Sequence, residues 1–286
     1  MTPTVYIVVG PTAVGKTKYA IELAQKLKTE IISADARQCY KELNIGVARP
    51  SKLELETVPH HFIASHSIYE TVNAGVFEQY ALDKTETLLA KYGSVVMVGG
   101  TGLYIKAFAE GMDAIPAIDP TIRQQIQEGL TTNGIAWLQA EVQQLDPAYW
   151  ASADLGEQQN TQRLSRALEV KMGTGQSILD FQHQQKKTRP FAIQKIGLEM
   201  PRMDLYDRIN QRVIQMVEMG LEEEVKNLLP QFHLNALQTV GYQEWLSYFD
   251  GTQTIDAVIQ AIQQNTRHYA KRQMTWFKKD VEIKWV

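Results

Sequence analysis

The stretch Val5-Tyr-Ile-Val-Val9 followed by Gly10-Pro-Thr-Ala-Val-Gly-Lys-Thr17 decides the fold of this 286-residue chain. Its first five residues form an apolar, largely β-branched run, which is typical of a strand buried on both faces of a parallel sheet. The next eight match the spacing of glycine, four residues, then Gly-Lys-Thr. Apolar residues then recur at helical spacing as far as Leu27. A strand, a glycine-bounded loop and a helix in this order predict the start of an α/β domain.

The loop has the residue types that bind a diphosphate or triphosphate. Its glycines let successive N–H groups turn toward phosphate oxygens, and the following helix N-terminus adds a partial positive charge. Lys16 is expected to reach the terminal phosphate, and Thr17 is expected to offer its hydroxyl to Mg²⁺. The predicted diphosphate-binding residues are Gly10, Pro11, Thr12, Ala13, Val14, Gly15, Lys16 and Thr17.

The rest of the chain predicts a P-loop NTPase-like parallel sheet core with a helical insertion domain. Strand-like runs occur at 31–34, 95–98, 193–198 and 281–286, and helical spacing occurs at 77–92, 205–229 and 258–279. From 115 to 187 no strand-like run appears, and helical spacing recurs at 122–130, 135–145 and 162–172. We therefore predict a catalytic core formed by residues 1–114 and 188–286, with a helical insertion domain at 115–187.

Two of the predicted strands end in residues suited to ligand binding. The strand at 95–98 ends in Gly99-Gly-Thr-Gly102, without the acid that holds Mg²⁺ in typical P-loop ATPases, and this disfavours ATP hydrolysis. Asp35 closes the strand at 31–34, and ligands of open parallel sheets gather at such strand ends. Asp35 is therefore either a metal ligand or general base near the loop, or the N-cap of a following turn. The residue pattern alone leaves these interpretations open.

The formal net charge of −3, from 29 basic and 32 acidic residues, does not favour nucleic-acid binding by the chain as a whole. The charges are unevenly distributed, however, with one basic and eight acidic residues in 110–160 and six basic and two acidic residues in 267–286. In the second segment basic and aromatic residues are interleaved, which indicates RNA binding, a helix that packs its aromatic side chains into the core, or both at once. Lys271 and Arg272 are the RNA-binding candidates of this segment.

Other features set bounds on the class of protein. Cys39 is the single cysteine, which excludes an intrachain disulfide and a cysteine-based zinc site. No apolar run approaches the roughly 20 residues that span a bilayer. The spacing of Arg208 and Arg212 is suited to gripping a phosphate, although a solvated helix face is the more usual reason for such a pair. We expect a cytoplasmic, monomeric protein with no membrane contact.

The motifs together identify a resemblance to the tRNA dimethylallyltransferase family, also called IPP transferases. The resemblance runs in the family's order over nearly the whole chain. Its stretches are Gly10-Pro-Thr-Ala-Val-Gly-Lys-Thr17, Ile32-Ser-Ala-Asp-Ala-Arg-Gln-Cys-Tyr40, Ile45-Gly-Val-Ala-Arg-Pro50, Pro59-His-His61, Val98-Gly-Gly-Thr-Gly-Leu-Tyr104, Gln162-Arg-Leu-Ser-Arg-Ala-Leu-Glu-Val170, Arg208-Ile-Asn-Gln-Arg212, Gly220-Leu221, Glu224-Val225, Val240-Gly-Tyr242 and Tyr269-Ala-Lys-Arg-Gln-Met-Thr-Trp276.

The resemblance implies transfer of a dimethylallyl group from dimethylallyl diphosphate to the N6 amine of the adenosine adjacent to the anticodon in tRNA, with release of diphosphate. It implies Asp35 as general base, Thr17 as ligand of Mg²⁺, Lys16 at the leaving group and Arg212 on the diphosphate. The insertion would contact the anticodon stem. The tRNA contacts that it implies are Asp35, Ala36, Arg37, Gln38, Thr101, Arg123, Gln162, Arg163, Leu164, Ser165, Arg166, Gln238, Thr239, Val240, Gly241, Tyr242 and Gln243.

Two features depart from the family pattern, and three other functions compete. Ala36 stands where the family often has serine, and the acidic 110–160 segment is unusual for a surface that meets RNA.

The runner-up is an adenylate isopentenyltransferase, which uses free AMP, ADP or ATP; the basic tail and the insertion favour a macromolecular acceptor instead. A small-molecule kinase would use the same loop, but the missing acid after Val98 counts against it. A purely RNA-binding module leaves the loop and Asp35 unexplained.

Overall fold

The computed structural model describes residues 2–182 and 186–286. The chain divides into two compact units, Met1–Gly111 with Thr188–Val286, and Met112–Lys187. Within the described residues, the helices of the first unit are α1 (Lys16–Leu27), α2 (Lys52–Thr57), α3 (Ala74–Tyr92), α4 (Gly102–Glu110), α9 (Arg202–Glu218), α10 (Leu221–Asn227), α11 (Leu246–Phe249) and α12 (Ile255–Phe277). Those of the second unit are α5 (Pro120–Leu145), α6 (Pro147–Ser152), α7 (Leu155–Gln158) and α8 (Thr161–Thr174).

A parallel sheet forms the centre of the first unit. Its strands are β1 (Thr4–Val9), β2 (Ile31–Ala34), β3 (His60–His61), β4 (Ser94–Gly99), β5 (Ala192–Gly197) and β6 (Ile283–Trp285). Their order is β3-β2-β4-β1-β5-β6, and every pairing is parallel. The predicted α/β class with a parallel sheet core is confirmed. Because β1 lies between β4 and β5, the loop that follows it emerges at the centre of the sheet edge.

The apolar run at the start of the chain is buried as its composition predicts. The side chains of Val5, Ile7 and Val9 pack into one cluster and that of Val8 into a second, and none of the four is accessible to solvent. This double burial stabilises the strand that carries the phosphate-binding loop.

Two helix boundaries differ from the sequence prediction because of glycines with positive φ. The prediction of one continuous helix over 205–229 is wrong: α9 ends at Glu218, Gly220 has φ 98°, and a second helix, α10, begins at Leu221. The predicted helices 122–130 and 135–145 are one element, α5, which is kinked at Gly134 with φ 74° and ψ −175°. Each glycine adopts a conformation that a residue with a Cβ disfavours.

The second unit has its own hydrophobic core. Ile126, Leu138 and Val142 of α5 pack with Leu164 and Leu168 of α8. The described residues of this unit form helices and connecting segments and contribute no strand to the sheet. Among the described residues of the whole chain, no helix has the length and apolar character that crossing a bilayer requires.

Candidate active site

A cavity of about 770 Å³ opens at the carboxyl ends of β1, β2 and β4. The loop after β1, the turn after β2 and the glycine segment after β4 all contribute to its wall. The polar side chains in the wall include Thr12, Lys16, Thr17, Asp35, Gln38 and Arg212. The structure thus brings all four predicted catalytic residues, Lys16, Thr17, Asp35 and Arg212, to one cavity within the first unit.

The backbone of the loop explains why its glycines stand where they do. Gly10 has φ 145°, and a Cβ there would lie 2.6 Å from the carbonyl oxygen of Leu198. Gly15 has φ 105° and precedes α1 without any side-chain cap, so the first N–H groups of the helix are left for another acceptor. An uncapped helix N-terminus on a cavity is suited to an anion.

Lys16 lies inside the cavity. Its Nζ donates to the carbonyl oxygen of Pro11 at 2.7 Å. Burial lowers the pKa of Lys16 to about 7; the Asp35 carboxylate partly opposes this, and the Arg212 guanidinium adds to it. The lysine is therefore poised to gain a proton when an anion enters the cavity.

Arg212 projects from α9 into the same cavity. Its guanidinium donates to the Thr12 hydroxyl at 3.4 Å, and burial lowers its pKa below the ordinary arginine value. Arg208, one turn earlier, is exposed and donates to the Val14 carbonyl oxygen at 3.5 Å. The spacing favoured a solvated helix face for both arginines. That prediction is wrong for Arg212, because α9 packs beside the loop.

Asp35 caps the turn after β2 and also lines the cavity. Its Oδ1 accepts hydrogen bonds from the backbone N–H groups of Arg37 (2.9 Å) and Gln38 (3.2 Å), so the side chain caps the turn. Its Oδ2 has no hydrogen-bond partner among residues 2–182 and 186–286 and is left for a ligand in the cavity. Two backbone bonds therefore fix a carboxylate whose second oxygen is free to act.

The glycine segment after β4 supports this turn. The Thr101 hydroxyl accepts from the Ala36 N–H at 3.0 Å instead of capping α4. Gly99 packs so tightly that a Cβ there would lie 2.1 Å from the Ala34 carbonyl oxygen. The turn that carries Asp35 therefore rests directly on the segment 99–101.

The predicted contacts at 37–38 and 238–243 form one wall of the site. Arg37 donates to the carbonyl oxygens of Asn235 (2.9 Å) and Gln238 (3.5 Å), and Gln38 donates to those of Val47 (3.2 Å) and Ala48 (3.0 Å). A smaller cavity of about 110 Å³ lies between Asp35, Arg37 and the segment 239–241. Gln243 is exposed beside them and donates to the Gln238 side chain at 2.6 Å.

Glu224 supports this wall from behind, and sequence reasoning missed its role. Its carboxylate accepts from the N–H groups of Ile45 (2.8 Å) and Gly46 (3.0 Å) and from the Tyr242 hydroxyl (2.6 Å). The Tyr242 side chain is fully buried against Gly46, so it supports the wall and cannot itself touch RNA. Glu224 belongs to a quoted motif, but its partner Ile45 lies 179 positions away and no local signal could indicate it.

The basic candidates of α12 lie on a separate hollow of about 420 Å³. Lys271 and Arg272 are both exposed there, and Arg272 also lies 5.7 Å from the centroid of the Tyr269 ring. Trp276 is 42% exposed in the same hollow, whereas Phe277 is buried. One face of the segment therefore packs into the core as predicted, and the other presents cations and an aromatic ring to solvent. RNA binding by that exposed face stays a prediction.

In the second unit, the candidate arginines are paired with acids. Arg123 and Arg166 both bond the buried carboxylate of Glu169, at 2.9 and 3.1 Å, and Arg163 pairs with Glu157. Leu164 is fully buried, so the structure places its side chain in the core of the unit and away from any surface contact. Gln162 is exposed, and Ser165 is half-buried.

The residues of the cavity fit a magnesium ion for which a phosphorylated ligand would supply further oxygens. The Thr17 hydroxyl has no hydrogen-bond partner in the described part of the chain, and it lines the same cavity as Asp35. No cluster of three or more acids, histidines or cysteines suited to a metal occurs among those residues. Mg²⁺ ordinarily uses few protein oxygens together with substrate phosphates and water, so this sparse donor set is suitable.

The parallel sheet and the uncapped loop define a P-loop protein, with a cavity suited to a phosphorylated ligand. Residues 38–280 match the model of the family described as IPP transferase. The chain is 49% identical to the tRNA dimethylallyltransferase of Christiangramia forsetii over 278 residues, which cover 97% of this chain and 91% of that protein. The chain therefore belongs to the IPP transferase family.

Solved structures agree with this assignment. The full-length tRNA isopentenylpyrophosphate transferase from Bacillus halodurans is 34% identical, with a TM-score of 0.71 over 99% of this chain and 89% of that one. The corresponding transferase from Staphylococcus epidermidis is 29% identical, with a TM-score of 0.69 over 99% of this chain and 93% of that one. The P-loop arrangement described above is thus that of a transferase.

Proposed function

We propose that the chain transfers the dimethylallyl group of dimethylallyl diphosphate to the N6 amine of the adenosine adjacent to the anticodon in tRNA, and releases diphosphate. One observation carries the proposal: the phosphate-binding loop and the free oxygen of Asp35 face the same cavity. An anion site beside a held carboxylate is what a reaction needs when it releases diphosphate and removes a proton from an amine.

On the diphosphate side, the loop acts on the leaving group. The bond from the allylic carbon to the diphosphate oxygen breaks, its electron pair stays with diphosphate, and negative charge grows where Lys16, Arg212 and the start of α1 converge. These donors therefore stabilise the transition state more than the ground state. When bound, Mg²⁺ would add to this neutralisation, with Thr17 as its protein ligand.

On the amine side, Asp35 takes the proton. The new bond joins the allylic carbon to N6 of adenine, and the amine proton passes to Oδ2 of Asp35 and then to water. The two backbone N–H bonds to Oδ1 hold the carboxylate in one orientation for this transfer. Reaction at N6 inside a walled cavity also requires the base to leave its stack in the anticodon loop.

The RNA contacts extend beyond the cavity. We infer that Arg37, Gln38, Thr101 and the segment 238–243 apart from the buried Tyr242 surround the reacting nucleoside. We further infer that Lys271 and Arg272 bind backbone phosphates. The anticodon stem is contacted by Arg123, Gln162, Arg163, Ser165 and Arg166, whereas Leu164 only supports them from the core. Every residue proposed for catalysis comes from the first unit of a single chain, so a monomer suffices for the reaction. A tRNA substrate agrees with the expected cytoplasmic location.

The test is a transfer assay with two acceptors. The protein is incubated with dimethylallyl diphosphate, Mg²⁺ and either unmodified tRNA or AMP, and the nucleosides are analysed by mass spectrometry. The expected product is dimethylallyladenosine from tRNA, at the position adjacent to the anticodon. Product from AMP alone would assign the chain to the adenylate isopentenyltransferases and overturn the proposal.

A further inference from the structure

A buried glutamine of α12 joins two segments of the active site. Gln273 is 6% exposed, its Oε1 accepts from the Thr12 N–H at 2.8 Å, and its Nε2 donates to the Gly100 carbonyl oxygen at 3.0 Å. One side-chain amide therefore spans from the phosphate-binding loop to the glycine segment after β4. Because the amide is fixed at both ends, neither segment can shift without breaking a bond in a desolvated place.

The sequence at Gly100 is adapted to this amide. A Cβ at Gly100 would lie 2.1 Å from Nε2 of Gln273 and 3.8 Å from Nζ of Lys16. Gly100 is not among the glycines with positive φ, so its backbone conformation does not require glycine. The absence of a side chain at Gly100 is thus explained by the space that the Gln273 amide occupies.

The Gln273 amide with its two hydrogen bonds, called the bridge below, lies between the groups proposed to act on diphosphate and the turn that carries Asp35. Thr12 belongs to the loop and also accepts from Arg212, whereas Gly100 adjoins Thr101, whose hydroxyl holds the turn of Asp35. The chain of contacts therefore runs from the diphosphate site through Gln273 to the turn that carries the carboxylate. Both halves are set in position by a residue that is supplied 173 positions later in the chain than Gly100.

We propose that Gln273 is a positioning residue that fixes the spacing between the diphosphate site and the Asp35 turn. This positioning role rests on the proposed function only because diphosphate is taken as the ligand of the loop. Gln273 also occupies the Thr12 N–H, so the phosphate oxygens are left to the donors that follow it, at the start of α1. Both polar atoms of the Gln273 amide bond backbone groups, so the residue acts through the loop and the glycine segment.

The test compares Gln273→Met, Gly100→Ala and Gln264→Met in the full-length protein. Methionine is similar in size to glutamine, so Gln273→Met removes the bonds to Thr12 and Gly100 with little change in volume. Gly100→Ala displaces the Gln273 amide from the opposite side, because the new Cβ takes up its space. Gln264→Met makes the same exchange at an exposed position of α12. Affinity for inorganic diphosphate with Mg²⁺ is measured by calorimetry, well below the melting temperature of each variant, and transfer to tRNA is measured at saturating donor.

We expect both bridge variants to bind diphosphate about tenfold more weakly and to lose about tenfold or more in kcat, because small displacements of reacting groups are costly. The double variant should be no worse than either single one, since both remove the same contact. Gln264→Met should match the wild type.

The outcomes separate this inference from the proposed function. Wild-type diphosphate affinity and kcat in Gln273→Met, with only a lower melting temperature, would show a merely structural role and overturn the inference. If Gln273→Met does not fold, Gly100→Ala decides in the same way. A wild-type protein that binds no diphosphate would instead defeat the proposed function.

Discussion

Thr101 stands at the N-cap position of α4, yet its hydroxyl accepts a hydrogen bond from the Ala36 N–H at 3.0 Å and none from its own helix. The Thr101 side chain therefore leaves α4 without a side-chain cap. It instead holds the turn of Asp35, which follows β2, the strand next to β4. Ala36 has no polar side chain, so its backbone N–H supplies this bond.

The first prediction follows from that bond. Thr101→Val keeps the shape of the side chain and removes the acceptor, so the Ala36 N–H loses its partner and the Asp35 turn loosens. We expect kcat for transfer to tRNA to fall about tenfold with little change in diphosphate affinity, as measured by steady-state kinetics and calorimetry. Thr101→Ser keeps the hydroxyl and serves as the control; equal losses in both variants would contradict the role of the bond.

Asp35→Asn separates the charge of Asp35 from its support of the turn. The amide oxygen of asparagine can still accept from the Arg37 and Gln38 N–H groups, but it cannot take a proton from the adenine amine. We expect kcat to fall by about 10²-fold or more while the fold persists. Asp35→Ala should abolish transfer and also disturb the turn. Transfer at the wild-type rate in Asp35→Asn would exclude Asp35 as the base.

The ionisation of Lys16 gives a pH prediction. Because burial lowers its pKa to about 7, the free protein loses this charge above that pH, whereas a bound diphosphate favours the protonated lysine. Affinity for diphosphate should therefore fall as pH rises from 7, approaching tenfold per pH unit, with proton uptake on binding. Lys16→Arg keeps its charge throughout, so the ratio of the two affinities cancels the ionisation of the ligand. A ratio that is constant between pH 6 and 8.5 would contradict the lowered pKa.

Glu169 gives a prediction about the acidic insertion. Burial raises its pKa, but the hydrogen bonds and charges of Arg123 and Arg166 outweigh that effect and lower the pKa overall. The ion pairs therefore stabilise the unit above the ordinary glutamate range, and this contribution is lost as pH falls through the lowered pKa.

We expect Glu169→Gln to lower the free energy of unfolding by about 1–2 kcal/mol at pH 7, as measured by chemical denaturation and by hydrogen exchange in α5 and α8. The difference from the wild type should narrow as the pH falls through the lowered pKa of Glu169. Glu128→Gln, at an exposed position of α5, is the matched control. An unchanged stability in Glu169→Gln would mean that the two arginines find other partners.

The parts of the site that follow from local rules could be predicted from sequence, and the long-range contacts could not. The strand, loop and start of α1 follow from burial and glycine spacing, and Asp35 follows from its place at a strand end. Gln273 and Glu224 have partners more than 170 positions away, so no periodicity indicates them. Arg212 has the spacing of a solvated face, and only the packing of α9 beside the loop buries it.

RNA binding by α12 should depend on salt in proportion to the cations that it contributes. Lys271 and Arg272 are both exposed on the hollow beside Trp276, and each phosphate contact releases condensed counterions. The affinity of the wild type for an anticodon stem-loop should therefore fall markedly between about 50 and 200 mM salt. The double variant Lys271→Ala with Arg272→Ala should bind more weakly and reduce the slope of log affinity against log salt by about two. Lys26→Ala, in the last turn of α1 and at the opposite end of that helix from the loop, is the control and should leave the slope unchanged. An unaltered slope in the double variant would place the RNA elsewhere on the protein, because a change of two cations at the true interface cannot leave counterion release unaffected.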